Sequence, residues 1–311
     1  MKIIRDIKSE FEIEQSAVTI GTFDGLHVGH NKIIESLKKK AKDLNIYSVV
    51  ITFYPHPRVV LNQGFDIKLL TPLEEKIKLF EKLGIDYLYI IPFTKEFSKK
   101  TYKEFFDEII FTQTNAKHII VGYDHKFGKN REGDKNKLKQ YAKEKNIEMT
   151  IVGPEEIEHT AVSSTKIREA ILDGYIELAN KMLGRFYFVE GIVVEGAKRG
   201  RTLGFPTANL KPAENNKLIP QNGVYFVRVT YNNNKYFGVA NIGLRPTFNN
   251  VKEPITEVFI FDFNKEIYNE FITIEFIKKI REEHKFDSIE ELENQINIDV
   301  ELGKNLVKHF N

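Results

Sequence analysis

The hydrophobic positions in the first 183 residues alternate between two spacings. Short continuous apolar runs of strand length are followed by stretches in which apolar residues recur every three or four positions, as on one face of a helix. The first strand is predicted at residues 17–21 and the first helix at Val28–Leu44. Later strands are predicted at 46–53, 87–91, 118–122 and 147–152, and later helices at 72–83, 102–111, 138–145, 163–172 and 175–183. This alternation predicts an α/β fold, with a mostly parallel sheet covered by helices on both faces.

The pattern changes after Gly184. Runs rich in β-branched and aromatic residues follow one another with turn residues, and without helices, between them. They lie at residues 186–194, 224–231, 235–240, 255–261 and 271–276, and the Asn-rich stretch 231–235 predicts a hairpin loop. Consecutive strands of this kind predict an antiparallel barrel or sandwich.

The chain ends in a predicted helix. Ser288, followed three residues later by Glu291, is the capping-box pattern of a helix start. The approximate apolar face of this helix consists of Ile289, Leu292, Ile296, Val300, Leu306 and Phe310. Together with the change of pattern near residue 184, these elements predict two domains, 1–183 and 184–311.

Composition excludes several classes of function. The 311 residues suffice for two domains with separate cores, and 41% of them are hydrophobic. Lys and Arg total 46 against 44 Asp and Glu, and the net charge of +2 gives no long-range attraction to nucleic acid or to an anionic membrane. The absence of cysteine excludes disulfides, thiolate metal sites and thiol nucleophiles. With no signal-peptide pattern and no apolar window of ~18–20 residues, we expect a cytoplasmic protein.

The segment 21–30 carries the first candidate site. It follows the first strand and runs into the first helix, and an α/β sheet binds ligands beyond the carboxyl ends of its strands, where free helix N–H groups attract phosphate. Gly25 and Gly29 let the backbone approach a ligand closely. His27 and His30 can both point at a bound triphosphate and stabilise charge on a leaving pyrophosphate. The alternative is that the histidines pack against the turn or bind an incidental metal.

A second segment, 162–168, opens the helix after the last strand of the same half. Its start offers hydroxyl groups, backbone N–H groups and a guanidinium, a set suited to β- and γ-phosphates. Alternatively, the serines only cap the helix. Together the two segments resemble the nucleotidyltransferase superfamily, with its His-x-Gly-His and Ser-Thr-x-x-Arg signatures. The resemblance implies a Rossmann-like domain in which ATP is the nucleotidyl donor and His27 and His30 are catalytic. It implies that the ATP-binding residues are Gly21, Phe23, Asp24, Gly29, Ser163, Ser164, Thr165 and Arg168.

Two intervening segments narrow the family. Residues 52–57 and 121–128 resemble the substrate-side motifs of the FAD synthetase module in bacterial bifunctional riboflavin kinase/FAD synthetases. Taken alone, their prolines would be turn formers and their glycines loop residues. The resemblance implies that the FMN-binding residues are His56, Pro57, Asp124 and Phe127.

The segment 196–210 carries the candidate chemistry of the second half. Its glycines and basic residues suit a flexible loop over phosphates, although many loops rich in Gly and Arg look similar. Thr207 and Asn209, two positions apart in an extended segment, face the same side and offer a hydroxyl and an amide carbonyl. Mg²⁺ takes such oxygen ligands beside ATP phosphates. The alternative is an ordinary turn after a strand.

The same segment closely resembles the riboflavin kinase signature, and residues 222–225, 240–248 and 256–259 continue the match in the expected order. The resemblance implies an antiparallel riboflavin-kinase β-barrel with a terminal helix. In it Thr207 and Asn209 bind Mg²⁺ and nucleotide, and Glu257 is the base that takes the proton of the riboflavin 5′-hydroxyl. The implied ATP- and flavin-binding residues are Gly196, Arg199, Gly204, Pro206, Asn241 and Arg245.

The resemblance spans nearly the whole chain, with departures at four positions. Family members often carry Asp where Ala197 stands and His where Phe259 stands. His125 and Lys126 occupy positions that are commonly aromatic and Arg, and Lys lacks the bidentate contact of a guanidinium.

The sequence therefore predicts a bifunctional enzyme. Its C-terminal barrel phosphorylates riboflavin with ATP to give FMN and ADP, and its N-terminal domain joins FMN to the AMP of a second ATP, giving FAD and pyrophosphate. Mg²⁺ is expected in both steps, the partners are small-molecule substrates, and self-association is left open. The alternatives are that only one activity is retained, or that the chain is a flavin-binding regulator without turnover. Retention of His27, His30 and Glu257 argues against both.

Overall fold

The computed structural model describes residues 1–5, 13–61, 67–124, 126–129, 133–196, 200, 204–246 and 252–310. These residues form two compact units, Met1–Ser164 and Thr165–Asn311.

The first unit contains a six-stranded parallel sheet in the order β1-β4-β3-β2-β5-β8. Its strands are β1 (Lys2–Ile4), β2 (Ser16–Ile20), β3 (Tyr47–Tyr54), β4 (Tyr87–Pro92), β5 (Ala116–Gly122) and β8 (Glu148–Val152). Two short antiparallel pairs are β6 (Lys126–Phe127) with β7 (Gly133–Asp134), and β9 (Glu156–Ile157) with β10 (Thr160–Ala161). The helices of this unit are α1 (Val28–Leu44), α2 (Pro57–Val60), α3 (Leu73–Leu83), α4 (Tyr102–Phe105) and α5 (Lys135–Glu144). Helix α6 (Ser164–Leu172) begins at the last residue of this unit, and α7 (Ile176–Leu183) belongs to the second unit.

The sheet is buried on both faces, as the continuous apolar runs predict. Along β2 every residue is buried, with Val18 and Ile20 in one apolar layer and Ala17 in the other. Helix α1 covers the second layer through Ile34, Leu37 and Ala41. Parallel strands covered in this way read as unbroken hydrophobic runs, and the predicted parallel α/β sheet is confirmed.

Several local features of the first unit differ from the sequence prediction, and helix α2 and the pairs β6–β7 and β9–β10 were not predicted. The predicted helix 102–111 consists of α4 followed by a π-helical stretch, Phe106–Gln113, so its hydrogen bonding changes after one turn. The short strand β1 was not predicted, because three residues next to β4 give no periodic signal.

The second unit is a closed antiparallel barrel in the order β11-β12-β15-β14-β13-β16. Its strands are β11 (Tyr187–Val194), β12 (Ala208–Pro212), β13 (Gly223–Tyr231), β14 (Asn234–Pro246), β15 (Lys252–Ile260) and β16 (Phe271–Arg281). The predicted hairpin is confirmed: Asn232 and Asn233 have φ values of 47° and 63° between the paired residues Tyr231 and Asn234. Of the two predicted architectures, barrel and sandwich, the structure has the barrel. Strand β12 was not predicted.

Helix α7 packs within the barrel unit. The amide nitrogen of Asn180 donates to the carbonyl oxygen of Phe276 at 2.9 Å, and its amide oxygen accepts the N–H of Tyr187 at 2.7 Å. The predicted domain boundary at residue 184 remains a prediction.

The chain ends in helix α8 (Ile289–Val307). The hydroxyl of Ser288 accepts the N–H of Glu291 at 3.1 Å, as predicted, but the Glu291 carboxylate accepts the N–H of Asp287, one residue before the cap. The predicted apolar face is wrong at one end, because Ile289 is 71% exposed in the first turn. Val300 is buried, and the ring of Phe310, beyond the helix, lies 5.7 Å from that of Phe226.

Candidate active sites

The first candidate site lies where the strand order of the sheet reverses. The chain adds β3 and β4 on one side of β2, and β5 and β8 on the other. Connections that leave neighbouring strands in opposite directions open a crevice beyond the carboxyl ends of those strands. Segment 21–30 follows β2 directly, and the segment that begins at Tyr123 follows β5. The fold therefore brings two sequence-predicted motifs to one edge of the sheet.

His27 caps helix α1 and stacks on His30. The Nδ1 atom of His27 accepts the backbone N–H of His30 at 3.3 Å. Because Nδ1 is an acceptor, the proton of the neutral ring must lie on Nε2, which can donate to a ligand. The two imidazole rings are nearly parallel, 19° apart, with centroids separated by 3.6 Å. The capping role was not predicted, and it fixes both the ring orientation and the tautomer of His27.

The glycines of segment 21–30 allow close contacts with aromatic rings. A Cβ atom on Gly29 would lie 3.3 Å from the His27 ring, and one on Gly21 would lie 3.1 Å from the Phe23 ring. The ring of Phe23 is buried and meets His30 edge-on, with centroids 5.1 Å apart. Of the predicted ATP-binding residues, Gly29 therefore lies against His27 and Phe23 against His30, while Gly21 lies against Phe23.

Asp24 is a residue of the turn itself. Its side chain is buried, and its two carboxylate oxygens accept the backbone N–H groups of Thr71 at 2.9 Å and Leu70 at 3.3 Å. The predicted contact of Asp24 with ATP stays a prediction, and these hydrogen bonds give the residue a second role in holding the turn.

The second predicted phosphate segment meets the first through Ser164. The Ser164 hydroxyl, at the first residue of α6, donates to the backbone carbonyl oxygen of Asp24 at 2.8 Å. Ser163 precedes the helix, and Thr165 and Arg168 lie in its first two turns.

The predicted FMN-binding residues lie partly within the described structure. His56 caps the short helix α2, where its Nδ1 accepts the N–H of Arg58 at 3.2 Å and Pro57 is the first helical residue. Asp124 is exposed in the turn after β5. His125 and the side chains of Lys126 and Phe127 lie outside the described residues.

Three residues that the resemblance assigns to the kinase reaction form a row across three strands of the barrel. Glu257 on β15 is directly opposite Asn209 on β12 and directly opposite Asn241 on β14. Residues in register on adjacent antiparallel strands project from the same face, with Cβ atoms about 5 Å apart. The neighbouring Thr256 and Val258 are buried on the other face. The sequence named all three row members but gave no indication that they are neighbours.

The start of the glycine-rich loop lies against Asn209. A Cβ atom on Gly196 would stand 2.2 Å from the Asn209 amide nitrogen, so only glycine leaves room for that amide. The ring of Phe205 packs edge-on against Phe259 with centroids 5.5 Å apart, which places an aromatic ring where the family often has His. Ala197, Arg199 and the side chain of Arg245 lie outside the described residues.

A cavity of about 320 Å³ opens beside Thr207 and Asn209. Gly196, Pro206 and Ala208 line it on the loop side. Its remaining walls are Val193, Val258 and Ile260 from the strands and residues 263–268 from the connection after β15. Sequence reasoning missed the 263–268 wall, because a connection between strands has no periodicity and carries no motif.

The described residues contain neither a cluster of metal ligands nor a membrane-spanning helix. Within the described ranges, no group of three or more His, Asp or Glu side chains is arranged to hold a metal ion. None of the helices described is both long enough and apolar enough to cross a bilayer.

Comparison with known families gives two matches. The sequence model of the FAD synthetase family matches residues 9–166, and that of the riboflavin kinase family matches residues 183–307.

Curated bacterial proteins match over almost the full chain. A bifunctional riboflavin kinase/FMN adenylyltransferase from Bacillus subtilis is 41% identical over 93% of this chain and 91% of its own length. Proteins of the same name from Buchnera aphidicola subsp. Schizaphis graminum and Escherichia coli K12 are 39% and 34% identical. They cover 100% and 95% of this chain, and 99% and 95% of their own lengths.

A crystal structure described as that of a macrolide-efflux protein from Streptococcus pneumoniae aligns with a TM-score of 0.90 and 35% identity. The alignment covers 98% of this chain and 99% of that chain, so the two proteins share both folds. The three curated relatives are instead named as bifunctional riboflavin kinase/FMN adenylyltransferases.

Proposed function

This chain belongs to the family of bifunctional riboflavin kinase/FMN adenylyltransferases, and from that premise we propose which of its residues carry each reaction. The enzyme phosphorylates riboflavin to FMN and adenylylates FMN to FAD. We assign adenylyl transfer to the histidine turn of the first unit and phosphoryl transfer to the cross-strand row of the second. The row formed by Asn209, Glu257 and Asn241 is the observation that carries the assignment.

Adenylyl transfer requires positioned donors on the leaving group. A phosphate oxygen of FMN attacks the α-phosphorus of ATP, and the bond to the oxygen that bridges the α- and β-phosphorus breaks to release pyrophosphate. His27 presents Nε2–H because its Nδ1 is already an acceptor, and His30 stacks against it. Fixed donors of this kind stabilise the charge that develops on pyrophosphate without reorganising. Ser163, Thr165 and Arg168, with Ser164, complete the proposed phosphate contacts.

Phosphoryl transfer requires a base for a weak nucleophile. In the proposed step the Glu257 carboxylate takes the proton of the riboflavin 5′-hydroxyl while that oxygen bonds to the γ-phosphorus. The bond to the β,γ-bridging oxygen breaks, and ADP leaves. Asn209 and Asn241 flank the carboxylate in register and can orient the reacting groups. We propose that the cavity lined by Thr207 and Asn209 holds the nucleotide, because its strand walls Val193, Val258 and Ile260 are apolar and suit a base. Val258 lies on the face of β15 opposite to Glu257, so Asn209 is the member of the row that borders this cavity.

The residues present fit a magnesium ion at the kinase site. The Thr207 hydroxyl and the Asn209 amide oxygen are neutral hard donors next to the cavity, and a nucleotide supplies the remaining oxygens. A bound Mg²⁺ would neutralise phosphate charge there.

Several further assignments belong to the same proposal. The synthetase domain comprises residues 1–183 and the kinase domain 184–311, FMN contacts come from His56, Pro57, Asp124 and Phe127, and the location is cytoplasmic. The proposal involves no nucleic acid or membrane partner. Each half of the chain matches an enzyme family. These matches support a protein with two activities rather than a protein with one activity or a flavin-binding regulator without turnover.

Two single substitutions test the assignment on one polypeptide. His30→Ala should abolish FAD formation from supplied FMN while FMN formation from riboflavin continues, because the histidine turn and the cross-strand row act separately. Glu257→Gln should do the opposite. Products are followed by chromatography with riboflavin or FMN, ATP and Mg²⁺. A Glu257→Gln protein with normal kinase turnover would remove the base from this mechanism, and a parallel loss of both activities in either variant would contradict two separate sites.

A further inference from the structure

A buried lysine lies beneath the histidine turn. Lys76, on α3, is only 5% exposed, and its Nζ donates a hydrogen bond to the backbone carbonyl oxygen of Thr22 at 2.7 Å. Lysine is rarely buried, because removing an ammonium group from water is costly. Burial lowers the pKa of Lys76 to about 8, and the carboxylate of Asp24 opposes that lowering. An apolar side chain would fill the same space without this electrostatic cost, so the ammonium group needs an explanation.

Asp24 holds the same turn to the chain segment before α3. Its Oδ1 accepts the N–H of Thr71 and its Oδ2 that of Leu70. In the other direction, the backbone N–H of Gly25 donates to the Thr71 hydroxyl at 3.0 Å. All three hydrogen bonds are buried. The turn and residues 70–71 are therefore joined by a closed set of bonds shielded from water.

Two further hydrogen bonds reach the turn from other elements. The Thr52 hydroxyl, on β3, donates to the Thr22 carbonyl oxygen at 3.3 Å, so that oxygen accepts from both Thr52 and Lys76. The Ser164 hydroxyl donates to the carbonyl oxygen of Asp24. Strand β3, the 70–71 segment, helix α3 and the start of α6 thus converge on residues 22–25.

The backbone of the turn explains why so much support is concentrated there. Phe23 and Leu26 have φ values of 48° and 40°, in the left-handed region that side chains other than glycine rarely adopt, and Gly25 lies between them at 91°. Such conformations persist only where the surroundings over-determine them, and they cluster at functional sites. His27 follows Leu26 directly, so the turn sets the direction from which the imidazole pair enters the site.

We propose that Lys76 and Asp24 are positioning residues for adenylyl transfer, holding the 22–26 turn in the conformation that presents His27 and His30 to the triphosphate. The inference rests on the proposed role of the two histidines. With 5% of its surface exposed, Lys76 acts through the turn rather than by touching ATP, and the buried carboxylate of Asp24 holds the turn in addition to the predicted contact of Asp24 with ATP. In the sequence, Lys76 looks like any other lysine of a solvated helix face.

The experiment compares the same chemical change at two positions of one helix. Lys76→Met keeps an unbranched side chain and removes the ammonium group. Lys78→Met is the matched control, because Lys78 is exposed on the same helix. For both variants we would measure kcat and KM of FAD formation, the rate of FMN formation by the same polypeptide, and the thermal unfolding midpoint.

The expected result separates positioning from stability. Lys76→Met should lower kcat for FAD formation on the order of 100-fold, the effect of a misplacement of about 1 Å. The KM for FMN and the rate of FMN formation should stay near wild type. The unfolding midpoint should not fall, because the variant no longer buries a charge. Lys78→Met should match wild type in every measurement. A wild-type kcat in Lys76→Met, or an equal loss of both activities, would overturn the proposal.

A second variant covers the case in which Lys76→Met fails to fold. Thr71→Val is nearly isosteric and removes the acceptor of the Gly25 N–H, so it should lower kcat for FAD formation in the same way. If His30→Ala abolishes FAD formation while Thr71→Val and Lys76→Met leave kcat unchanged, the positioning role fails and the proposed function stands. If His30→Ala retains FAD formation, both fail.

Discussion

The two proposed catalytic regions of this chain are built in opposite ways. The adenylyl-transfer region takes its histidines from one continuous segment, which enters a helix at the carboxyl end of a parallel strand. The kinase region takes Asn209, Asn241 and Glu257 from three strands, so that residues far apart in sequence become neighbours through register. A parallel α/β sheet concentrates chemistry at strand ends, whereas an antiparallel barrel distributes it across a face.

The interactions that hold the backbone in place differ between the two regions. Beneath the histidine turn a buried polar network fixes a strained backbone. In the barrel, hydrogen bonds between strands fix the backbone. The positions of the proposed functional side chains depend on the residues that cover them, as the Asn209 amide depends on the space left by Gly196. The first region should therefore respond to changes below the site, and the second to changes in the side chains that cover the row.

The largest effect is expected at Gly196. In Gly196→Val the new Cβ would lie 2.2 Å from the Asn209 amide, which is buried and must leave its position. Loss of one positioned polar group at a reacting phosphate costs about 100- to 1000-fold in kcat. FMN formation should fall by that order, while FAD formation from supplied FMN is unchanged, as measured by separate initial rates.

Gly153→Val is the matched control for this substitution. A Cβ atom there meets nothing within 4 Å, so both activities should persist. Wild-type FMN formation in Gly196→Val would show that Asn209 is not a ligand in the kinase reaction, and the row across the barrel would shrink to Glu257 and Asn241.

A smaller effect is expected from pH, through Lys76 of the first region. The pKa of Lys76 is about 8 in the folded chain against an ordinary 10.5. Between these values the unfolded chain keeps the proton and the folded chain does not, so folding releases a proton and rising pH favours the folded state. This increase in the free energy of unfolding is absent below pH 8 and complete above pH 10.5, where it reaches about 3 kcal/mol.

Denaturant unfolding followed by circular dichroism measures this gain, since the chain has no tryptophan. The free energy of unfolding of wild type should rise relative to that of Lys76→Met between pH 8 and 10. Parallel curves for the two proteins would mean that Lys76 is not buried as a charged group at neutral pH.

The difference between the regions also explains what the sequence could predict. Helix α1 was predicted with its observed bounds, because its period and the turn before it are local signals. The proposed catalytic residues of both regions were named through family resemblance, but the neighbour relation between Glu257 and Asn241 depends on strand register, which no short pattern encodes. Strand β12 was missed, since its five residues continue the loop motif without alternating clearly.

Buried polar residues and irregular connections were the least predictable. Lys76 sits among the other charged residues of α3, and its burial follows from packing beneath a turn that is distant in sequence. Residues 263–268 line the cavity beside Thr207 and Asn209, and no sequence pattern predicts where this connection between strands lies. Ile289 fits the helical period of α8 but lies in the first turn, where it faces solvent.

The smallest expected effect comes from the second helix cap. Ser288 caps α8 as His27 caps α1, with similar hydrogen bonds to the residue three positions on, at 3.1 and 3.3 Å. Ser288→Ala should destabilise the barrel unit by about 1 kcal/mol, the usual value of a lost cap, as read from urea unfolding, and leave both reaction rates unchanged. The two caps are alike in geometry. A drop in the rate of FMN formation by Ser288→Ala, measured well below the unfolding temperature, would therefore show that the start of α8 also contributes to the kinase reaction. A helix cap would then support the chemistry in both regions rather than in one.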